Sequence, residues 1–186
     1  NNLKDLQPYE SWTSGQLNPA YYQDYATYFV NYIREMKKEG FDIDAITIQN
    51  EPLNRGNSAS LYMTWQEQRD FIKTALGPAF AQAGIITEIY VFDHNYDYDS
   101  NKPENADQQQ YPLNIYADPD ARKYVAGAAY HAYGGDKNEM MNIYKEASDK
   151  ALYFTEISIG MWGDGYSFGG DLMWNMREVC IGTINN

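Results

Sequence analysis

Hydrophobic and polar positions along the chain switch between helical and strand spacing. After Asn18-Pro19, an N-cap residue followed by proline at the first helical position, apolar side chains recur at helical spacing through Met36. Short apolar runs alternate with such helical stretches and predict four buried strands. This helix-strand order predicts a parallel sheet with helices packed outside it. The predicted strands are 45–49, 88–92, 125–130 and 152–155.

Helix boundaries are marked by local signals. Thr64, with Glu67 three residues later, predicts a capping box at a helix start, whereas Gly77-Pro78 predicts a kink or break in the same helix. A last helix at 171–181 is expected to bury its apolar face, and Cys180 is expected to lie on that face. The other residues expected to be buried there are Leu172, Met176 and Val179.

Two architectures fit this order of elements. One is a small open doubly wound sheet, and the other is about half of an eight-stranded (β/α) barrel, which normally needs about 250 residues. The 186 residues of the chain are enough for one domain or for part of a larger one. The local pattern leaves both architectures open.

Composition and charge disfavour several classes of function. The formal net charge of −12 disfavours binding to phosphate backbones and to anionic lipid headgroups. Cys180 is the single cysteine, which excludes an intrachain disulfide framework and cysteine-based zinc sites, and two histidines are too few for a histidine-rich metal site. No apolar run approaches the ~20 residues of a membrane span. No cleavable leader stands at the N-terminus, so any export signal is expected upstream.

Polar side chains follow each predicted strand, at the edge where parallel α/β folds bind ligands. Polar groups are costly to hold dry, so a cluster of them usually lines a site. Two of them, Glu51 and Glu156, are carboxylates on different strands, and a carboxylate pair is the apparatus of glycoside hydrolysis. Alternatively, each glutamate caps a helix or pairs with Arg55 or Arg122. The other side chains at this edge include Asn50, Asp93, His94, Asn95, His131 and Tyr133.

Asn50-Glu51-Pro52 is the sharpest local signal. Pro52 is expected to keep Glu51 out of the α region and to hold it extended, which aims the carboxylate where the strand ends. Asn50 beside it could hydrogen-bond a sugar 2-hydroxyl, a contact that strengthens in the transition state.

Asp93 to Glu104 offers a competing interpretation, because its carboxylates have the spacing of a calcium loop. However, Tyr98 stands where an EF-hand loop requires glycine, and a strand precedes the loop where an EF-hand has a helix. A solvated acidic loop is the preferred interpretation.

Several segments in a shared order carry a resemblance to a known family. The chain resembles glycoside hydrolase family 30, which contains glucosylceramidases, β-1,6-glucanases and related xylanases. The matching segments are Pro19 to Gln23, Tyr28-Phe29-Val30, Thr47 to Pro52, Gln68 to Ile72, Leu76-Gly77-Pro78, Asp118-Pro119, Lys123-Tyr124-Val125, His131-Ala132-Tyr133, Thr155-Glu156, Ile159-Gly160 and Trp174-Asn175.

The resemblance implies a parallel (β/α)8 TIM-type barrel and a retaining mechanism. It implies that Glu51 is the acid/base and Glu156 the nucleophile, with the two carboxyl groups roughly 5–5.5 Å apart. Trp162 lies in a loop of aromatic residues and glycines that suits sugar stacking or simple packing on a neighbour. The further residues that the resemblance places in the sugar subsite are Asn50, Asp93, His131 and Tyr133.

The main functional prediction is a retaining O-glycoside hydrolase for β-linked glucosyl substrates, similar to glucosylceramidases. An endo-β-1,6-glucanase or a xylanase of the same family is the alternative, and a non-catalytic carbohydrate-binding protein is an alternative of another class. Ala132 stands where the glucosylceramidase branch is expected to have an aromatic residue, which weakens a lipid-linked substrate. The expected partner is a carbohydrate or glycolipid, with no metal, cofactor or nucleic acid. An extracellular, periplasmic or lysosomal location follows by analogy.

The resemblance also implies that residues 1–186 are the central half of the catalytic barrel, without its first strands and its last strand. The first and last strands of such a piece would expose unpaired edges. We therefore expect the 186-residue chain alone to be poorly stable and inactive, and measurable turnover by it would contradict that expectation.

Overall fold

A parallel sheet of four strands is the centre of the fold. The computed structural model describes residues 4–5, 15–56, 61–96, 108, 110–160 and 165–184. Two short strands, β1 and β2, pair antiparallel, whereas the four strands of the main sheet run parallel in chain order, β3-β4-β5-β6. The strands are β1 (Lys4–Asp5), β2 (Gln16–Leu17), β3 (Ala45–Thr47), β4 (Glu88–Asn95), β5 (Val125–His131) and β6 (Ala151–Glu156).

The strand order decides between the two architectures that the sequence left open. A doubly wound sheet reverses its strand order at a switch point, whereas barrel strands follow one another in sequence around the sheet. The main sheet keeps one direction of progression through all four strands. The predicted parallel α/β class is therefore confirmed, and the order is that of part of a barrel.

Helices connect the strands as the sequence predicts. A 3₁₀ turn at Pro19–Tyr21 leads into α1, a π-helical segment at Ile72–Leu76 joins α2 to α3, and a second π-helical segment at Asn175–Ile181 continues α7. None of the described helices is long and apolar enough to span a membrane. The helices are α1 (Tyr22–Lys38), α2 (Trp65–Phe71), α3 (Gly77–Ala83), α4 (Tyr111–Tyr116), α5 (Pro119–Arg122), α6 (Asn138–Glu146) and α7 (Phe168–Trp174).

The predicted helix starts are confirmed in atomic detail. The Asn18 side chain accepts the Ala20 N–H at 2.9 Å. Thr64 accepts the Glu67 N–H while the Glu67 carboxylate accepts the Thr64 N–H at 2.7 Å, which completes the capping box. These caps satisfy helix N–H groups that have no partner inside the helix.

Of the predicted kink or break at Gly77-Pro78, the break is wrong, because helical structure runs without a gap from α2 through α3. Proline clashes with the carbonyl four residues earlier in a regular α-helix. The wider π-helical turns at Ile72–Leu76 directly precede this proline and change that spacing. Gly77 also packs against the Tyr124 ring, where a Cβ would lie 2.3 Å from ring carbons.

The predicted buried face of the last helix is also wrong in part. Val179 is buried, but Leu172 is 45% exposed, Met176 is 44% exposed, and Cys180 is exposed. Helical periodicity shows which side of a helix is apolar, but it does not show that another element covers that side. Among the described residues of α7 and its continuation, Val179 is the buried one, and Glu178 forms an ion pair with Lys137.

Candidate active site

Glu51 lies in the turn after β3, and its backbone differs from the prediction. We expected Pro52 to hold it extended, but Glu51 adopts a left-handed conformation with φ +46°. Its N–H donates to the Asp93 carbonyl at 2.9 Å, and its own carbonyl accepts the Asn54 N–H at 2.9 Å. Proline disfavours the right-handed helical region for the preceding residue, and these two bonds select the left-handed alternative.

Two β-bulges reshape the carboxyl edge of the sheet. The β4–β5 register shifts between Phe92 and His94, which leaves Asp93 as the extra residue. The β5–β6 register shifts in the same way and leaves Thr155 extra. Phe92 and Asp93 both have positive φ, at +74° and +57°. A bulge of this kind re-aims a side chain, and here the two extra residues meet, with the Thr155 hydroxyl donating to Asp93 Oδ1 at 2.7 Å.

Asp93 is a buried anion with three donors. Thr47 donates to Oδ2 at 2.7 Å, Thr155 donates to Oδ1, and His131 Nε2 lies 3.1 Å from Oδ1. Burial alone would raise the pKa of Asp93, but the hydrogen bonds from His131, Thr47 and Thr155 outweigh it and hold the pKa below its usual value. Asp93 therefore remains ionised although it is only 6% exposed.

His131 links this anion to Glu51. Its Nδ1 lies 3.3 Å from Glu51 Oε1, while Nε2 faces Asp93. Burial lowers the pKa of His131, but the hydrogen bond and charge of Asp93, the hydrogen bond to Glu51 and the charge of Glu156 raise it above its usual value. The protonated ring can donate one N–H to each carboxylate.

The neighbouring His94 takes the opposite state. It is buried, and burial lowers its pKa to about 4 although the charge of Glu51 acts in the other direction. His94 is therefore neutral near neutral pH, and its Nδ1 accepts the Asn95 N–H at 2.7 Å. The charged histidine of this edge is His131 alone among the residues that the structure describes.

Glu156, at the end of β6, accepts hydrogen bonds from two residues of the loop after β5. The Tyr133 hydroxyl donates to Glu156 Oε1 at 3.0 Å, and the Ala132 N–H donates to the Glu156 carbonyl at 3.2 Å. The Tyr133 N–H donates in turn to Asn95 Oδ1 at 3.1 Å. Glu156 is more open to solvent than the buried pair of Glu51 and His131.

The two glutamates converge. One carboxylate oxygen of Glu51, one of Glu156 and a ring nitrogen of His131 all lie within 4.8 Å of one another. A close approach of two carboxylates is what a retaining glycosidase, with its carboxyl groups roughly 5–5.5 Å apart, requires. The same three atoms could surround a cation, but a protonated imidazole donates hydrogen bonds and does not ligate a metal.

The predicted site residues fall into three groups. Five of them meet in a network of two adjacent hydrogen-bonded groups, in which His131 joins Glu51 to Asp93 and Tyr133 bonds Glu156. Asn50 is exposed beside it with no side-chain hydrogen bond to any described residue, and Trp162 lies outside the described residues. Most of the proposed calcium loop, residues 97–104, also lies outside the described residues. The first residue of that loop, Asp93, is hydrogen-bonded to His131. The five residues of the network are Glu51, Asp93, His131, Tyr133 and Glu156.

Sequence reasoning missed the residues that support this network. Thr47 and Thr155 bind Asp93, Asn54 donates to Glu51 Oε2 at 2.7 Å, and Asn95 holds the Tyr133 backbone. One signal was present, because Thr47 and Thr155 are hydroxyl residues at or near the ends of strands that are otherwise largely apolar. The bulges that bring them together have no comparable signal.

The chain was compared with protein families. Residues 7–170 match the family described as the glycosyl hydrolase family 30 TIM-barrel domain. The chain belongs to this family. The predicted family resemblance is thereby confirmed, and the four parallel strands are part of a family 30 barrel.

Relatives of the chain in family 30 are named for different activities. The chain is 34% identical over 191 residues to an endo-1,6-β-D-glucanase of Trichoderma harzianum, which covers 99% of this chain and 35% of that protein. It is 32% identical over 128 residues to the lysosomal acid glucosylceramidase of Mus musculus, covering 64% of this chain and 22% of that protein. Among solved structures, an endo-β1,6-glucanase matches with 57% identity and a TM-score of 0.91, over 98% of this chain and 40% of that one.

The chain therefore spans about a third of the Trichoderma relative and two fifths of the solved glucanase. The family membership and the barrel fold are those of this chain, through residues 7–170. Activity and substrate belong to a whole catalytic domain, of which this chain is a part.

Proposed function

We propose that the chain carries the catalytic carboxylates of a retaining endo-β-1,6-glucanase. The observation that carries the proposal is the convergence of Glu51 and Glu156, with His131 between Glu51 and Asp93. The 57% identity to a solved endo-β1,6-glucanase over nearly the whole chain supports this substrate over glucosylceramide, which was the main prediction from sequence. Ala132, in place of an aromatic residue, agrees with that preference.

The first half of the reaction uses both glutamates. The Glu156 carboxylate attacks the anomeric carbon, and the bond from that carbon to the glycosidic oxygen breaks. Protonated Glu51 gives its proton to the departing oxygen, so the shortened glucan leaves as an alcohol and a glycosyl ester remains on Glu156. The Tyr133 hydroxyl, 3.0 Å from Glu156 Oε1, orients the attacking carboxylate.

The second half reverses these roles. The Glu51 carboxylate takes a proton from water, the water oxygen attacks the anomeric carbon, and the ester bond to Glu156 breaks. Glu51 ends protonated and Glu156 ionised, which restores the starting state. Protonated His131 stabilises the carboxylate form of Glu51 between the two halves, and Asp93 keeps His131 protonated.

The proposal is tested with the intact protein, including any barrel strands outside this chain. Glu156→Gln and Glu51→Gln should each lower kcat on β-1,6-glucan about 10³-fold, because each removes an ionisable group that the chemistry needs. Glu146→Gln changes an exposed glutamate on α6 and serves as the matched control. Parallel assays on glucosylceramide and xylan decide the substrate, and faster turnover of either one would overturn the glucanase assignment. Binding of β-1,6-glucan without turnover would indicate a carbohydrate-binding protein instead.

The two roles are separated by chemical rescue. With azide and an activated aryl glucoside, Glu51→Ala should release a β-glycosyl azide, because azide intercepts the ester on Glu156. Glu156→Ala should release an α-glycosyl azide, because azide then attacks the free substrate directly. The opposite pairing of anomers would show that the two assignments are exchanged.

A location outside the cytoplasm is part of the same proposal, since a polymeric glucan is degraded where the enzyme can reach it. Detection of the intact protein in extracellular, periplasmic or lysosomal fractions tests it, and a purely cytoplasmic signal would contradict it.

A further inference from the structure

One short segment contacts both catalytic carboxylates. His131 reaches Glu51 through Nδ1, and Tyr133 reaches Glu156 through its hydroxyl. Between them, the Ala132 N–H donates to the Glu156 carbonyl. The path of residues 131–133 therefore sets the position of the groups that hold each glutamate.

Asn95 fixes the far end of this segment. It is the last residue of β4 and lies opposite His131 in the parallel register. From there its side-chain oxygen accepts the Tyr133 N–H at 3.1 Å. Gly134, the next residue of the loop, lies beside the same amide, since a Cβ built on it would be in ordinary contact with Asn95 Nδ2 at 3.6 Å.

Apart from this bond and the bond of its hydroxyl to Glu156, Tyr133 has few contacts with the part of the chain that the structure describes. Its side chain is 46% exposed, and its ring meets His131 edge-on with 6.3 Å between centroids. A partly exposed ring is positioned mainly by its backbone, so the position of its hydroxyl depends on the Asn95 bond. A displacement of about 1 Å in a group that orients a reacting atom can cost up to about 10²-fold in rate.

We propose that Asn95 is a positioning residue that acts through Tyr133 on Glu156. This inference rests on the proposed function, since it assigns Asn95 a part in orienting the attacking carboxylate. Asn95 touches neither the carboxylate nor a sugar in this assignment. Its effect is transmitted by the backbone of Tyr133.

A double-mutant cycle in the intact protein tests this. Asn95→Leu keeps the size of the side chain but removes the acceptor, and it should lower kcat on β-1,6-glucan about tenfold with KM changed less than about twofold. Tyr133→Phe should lower kcat by a similar factor. The double variant should then be no more than about twofold slower than Tyr133→Phe, because both changes act on one contact. If the kcat losses of the two single variants multiply in the double variant, the inference is overturned.

Rescue separates the acceptor from a general structural role. Asn95→Asp keeps an oxygen at the acceptor position and should recover kcat to within about threefold of the unaltered protein. An aspartate variant as slow as the leucine variant would overturn the inference. Asn95→Ala replaces the leucine variant in the cycle if leucine prevents folding, and Asn142→Leu on the exposed face of α6 is the control that should leave kcat unchanged.

The two failures are distinguishable. Absence of turnover by the unaltered intact protein would refute the proposed function. Normal turnover combined with an Asn95→Leu variant of unchanged kcat would refute the inference about Asn95 and leave the proposed function standing.

Discussion

The two inner strands of the sheet differ from the two outer strands in what they contribute to the site. β4 and β5 are buried along almost their whole length, whereas β3 is half-buried and β6 alternates between exposed and half-buried positions. Both glutamates follow or end the outer strands, while Asp93, Asn95 and His131 lie on the inner ones. Among the described strands of this chain, β3 and β6 are each paired on one side only, so they are the edges of a partial barrel, whereas the residues that orient the two glutamates lie on the strands that are paired on both sides.

This division suits the demands on each kind of residue. Glu156 is the more open to solvent, while Glu51 is buried beside His131. The ion pair of His131 with Asp93 is strongest where water is excluded, as it is on the inner strands. Substitution of a residue on an inner strand tests this dependence, because kcat should fall although both glutamates are unchanged.

The largest effect is expected from Asp93→Asn in the intact protein. Asparagine tolerates the left-handed backbone, so the change removes the charge with little added strain. Without the anion His131 loses its main stabilising partner, and kcat on β-1,6-glucan should fall about 10²-fold, with a loss of about 2 kcal/mol in unfolding free energy. Steady-state kinetics and urea unfolding measure the two effects.

Its control is Asp149→Asn, which removes an exposed ion pair with Arg122. That variant should keep kcat and lose less than about 1 kcal/mol. Equal effects of the two aspartate changes would remove the distinction between the buried anchor and an ordinary surface charge.

Two isoleucines that are register neighbours test how much an inner and an outer strand each contribute to stability through packing. Ile89 on β4 is 2% exposed, and its register neighbour Ile46 on β3 is half-buried. Ile89→Ala should lower the free energy of unfolding by about 3 kcal/mol and Ile46→Ala by roughly half of that, because less of its side chain leaves water on folding. Denaturant unfolding followed by tryptophan fluorescence gives both values, and a costlier Ile46 change would reverse the ranking of the strands.

The pH dependence of stability tests whether His131 is protonated in the folded protein. Its pKa is raised in the folded state, so its contribution is fully present below the ordinary histidine pKa of about 6.5 and is lost as pH rises through the folded value. Asp93 has a lowered pKa, so its contribution is present above its ordinary value and is lost as pH falls through the folded one. The stability gap between the unaltered protein and His131→Gln should therefore be wider at about pH 5.5 than at about pH 9. A gap that widens with pH would contradict a protonated His131.

The smallest effect is expected far from either strand pair. Thr64→Ala removes the capping box at the start of α2 and should cost about 1 kcal/mol of stability. The kcat of the intact protein should not change, because Thr64 does not contact Glu51 or Glu156. Thermal unfolding and kinetics on one preparation check both statements, and a fall in kcat would link α2 to the site.

Features set by neighbouring residues could be predicted from the sequence. Asn18 and Thr64 cap helices because the acceptor and the N–H that it binds are two or three residues apart. The parallel sheet followed from the order of elements, and the place of Glu51 and Glu156 at two strand ends predicted that they share one edge. The family resemblance supplied their roles, which stay predictions.

Features set across the fold could not be predicted in this way. The left-handed backbone of Glu51 depends on the Asp93 carbonyl, 42 residues away in sequence, as well as on Pro52. The meeting of Asp93 with Thr155 depends on two bulges that shift the register of separate strand pairs. The exposure of Leu172 depends on whether another element covers the helix, and apolar periodicity carries no information on that point.

The exposed thiol on the last helix offers a practical consequence. Cys180 is the sole sulfhydryl of the 186 residues, so a maleimide dye would attach to this chain at one defined place without any engineered substitution. It lies in the same helical segment as the exposed Met176 and Ile181. The labelling rate of Cys180 would therefore report, in the intact protein, whether another part of the polypeptide shields this segment.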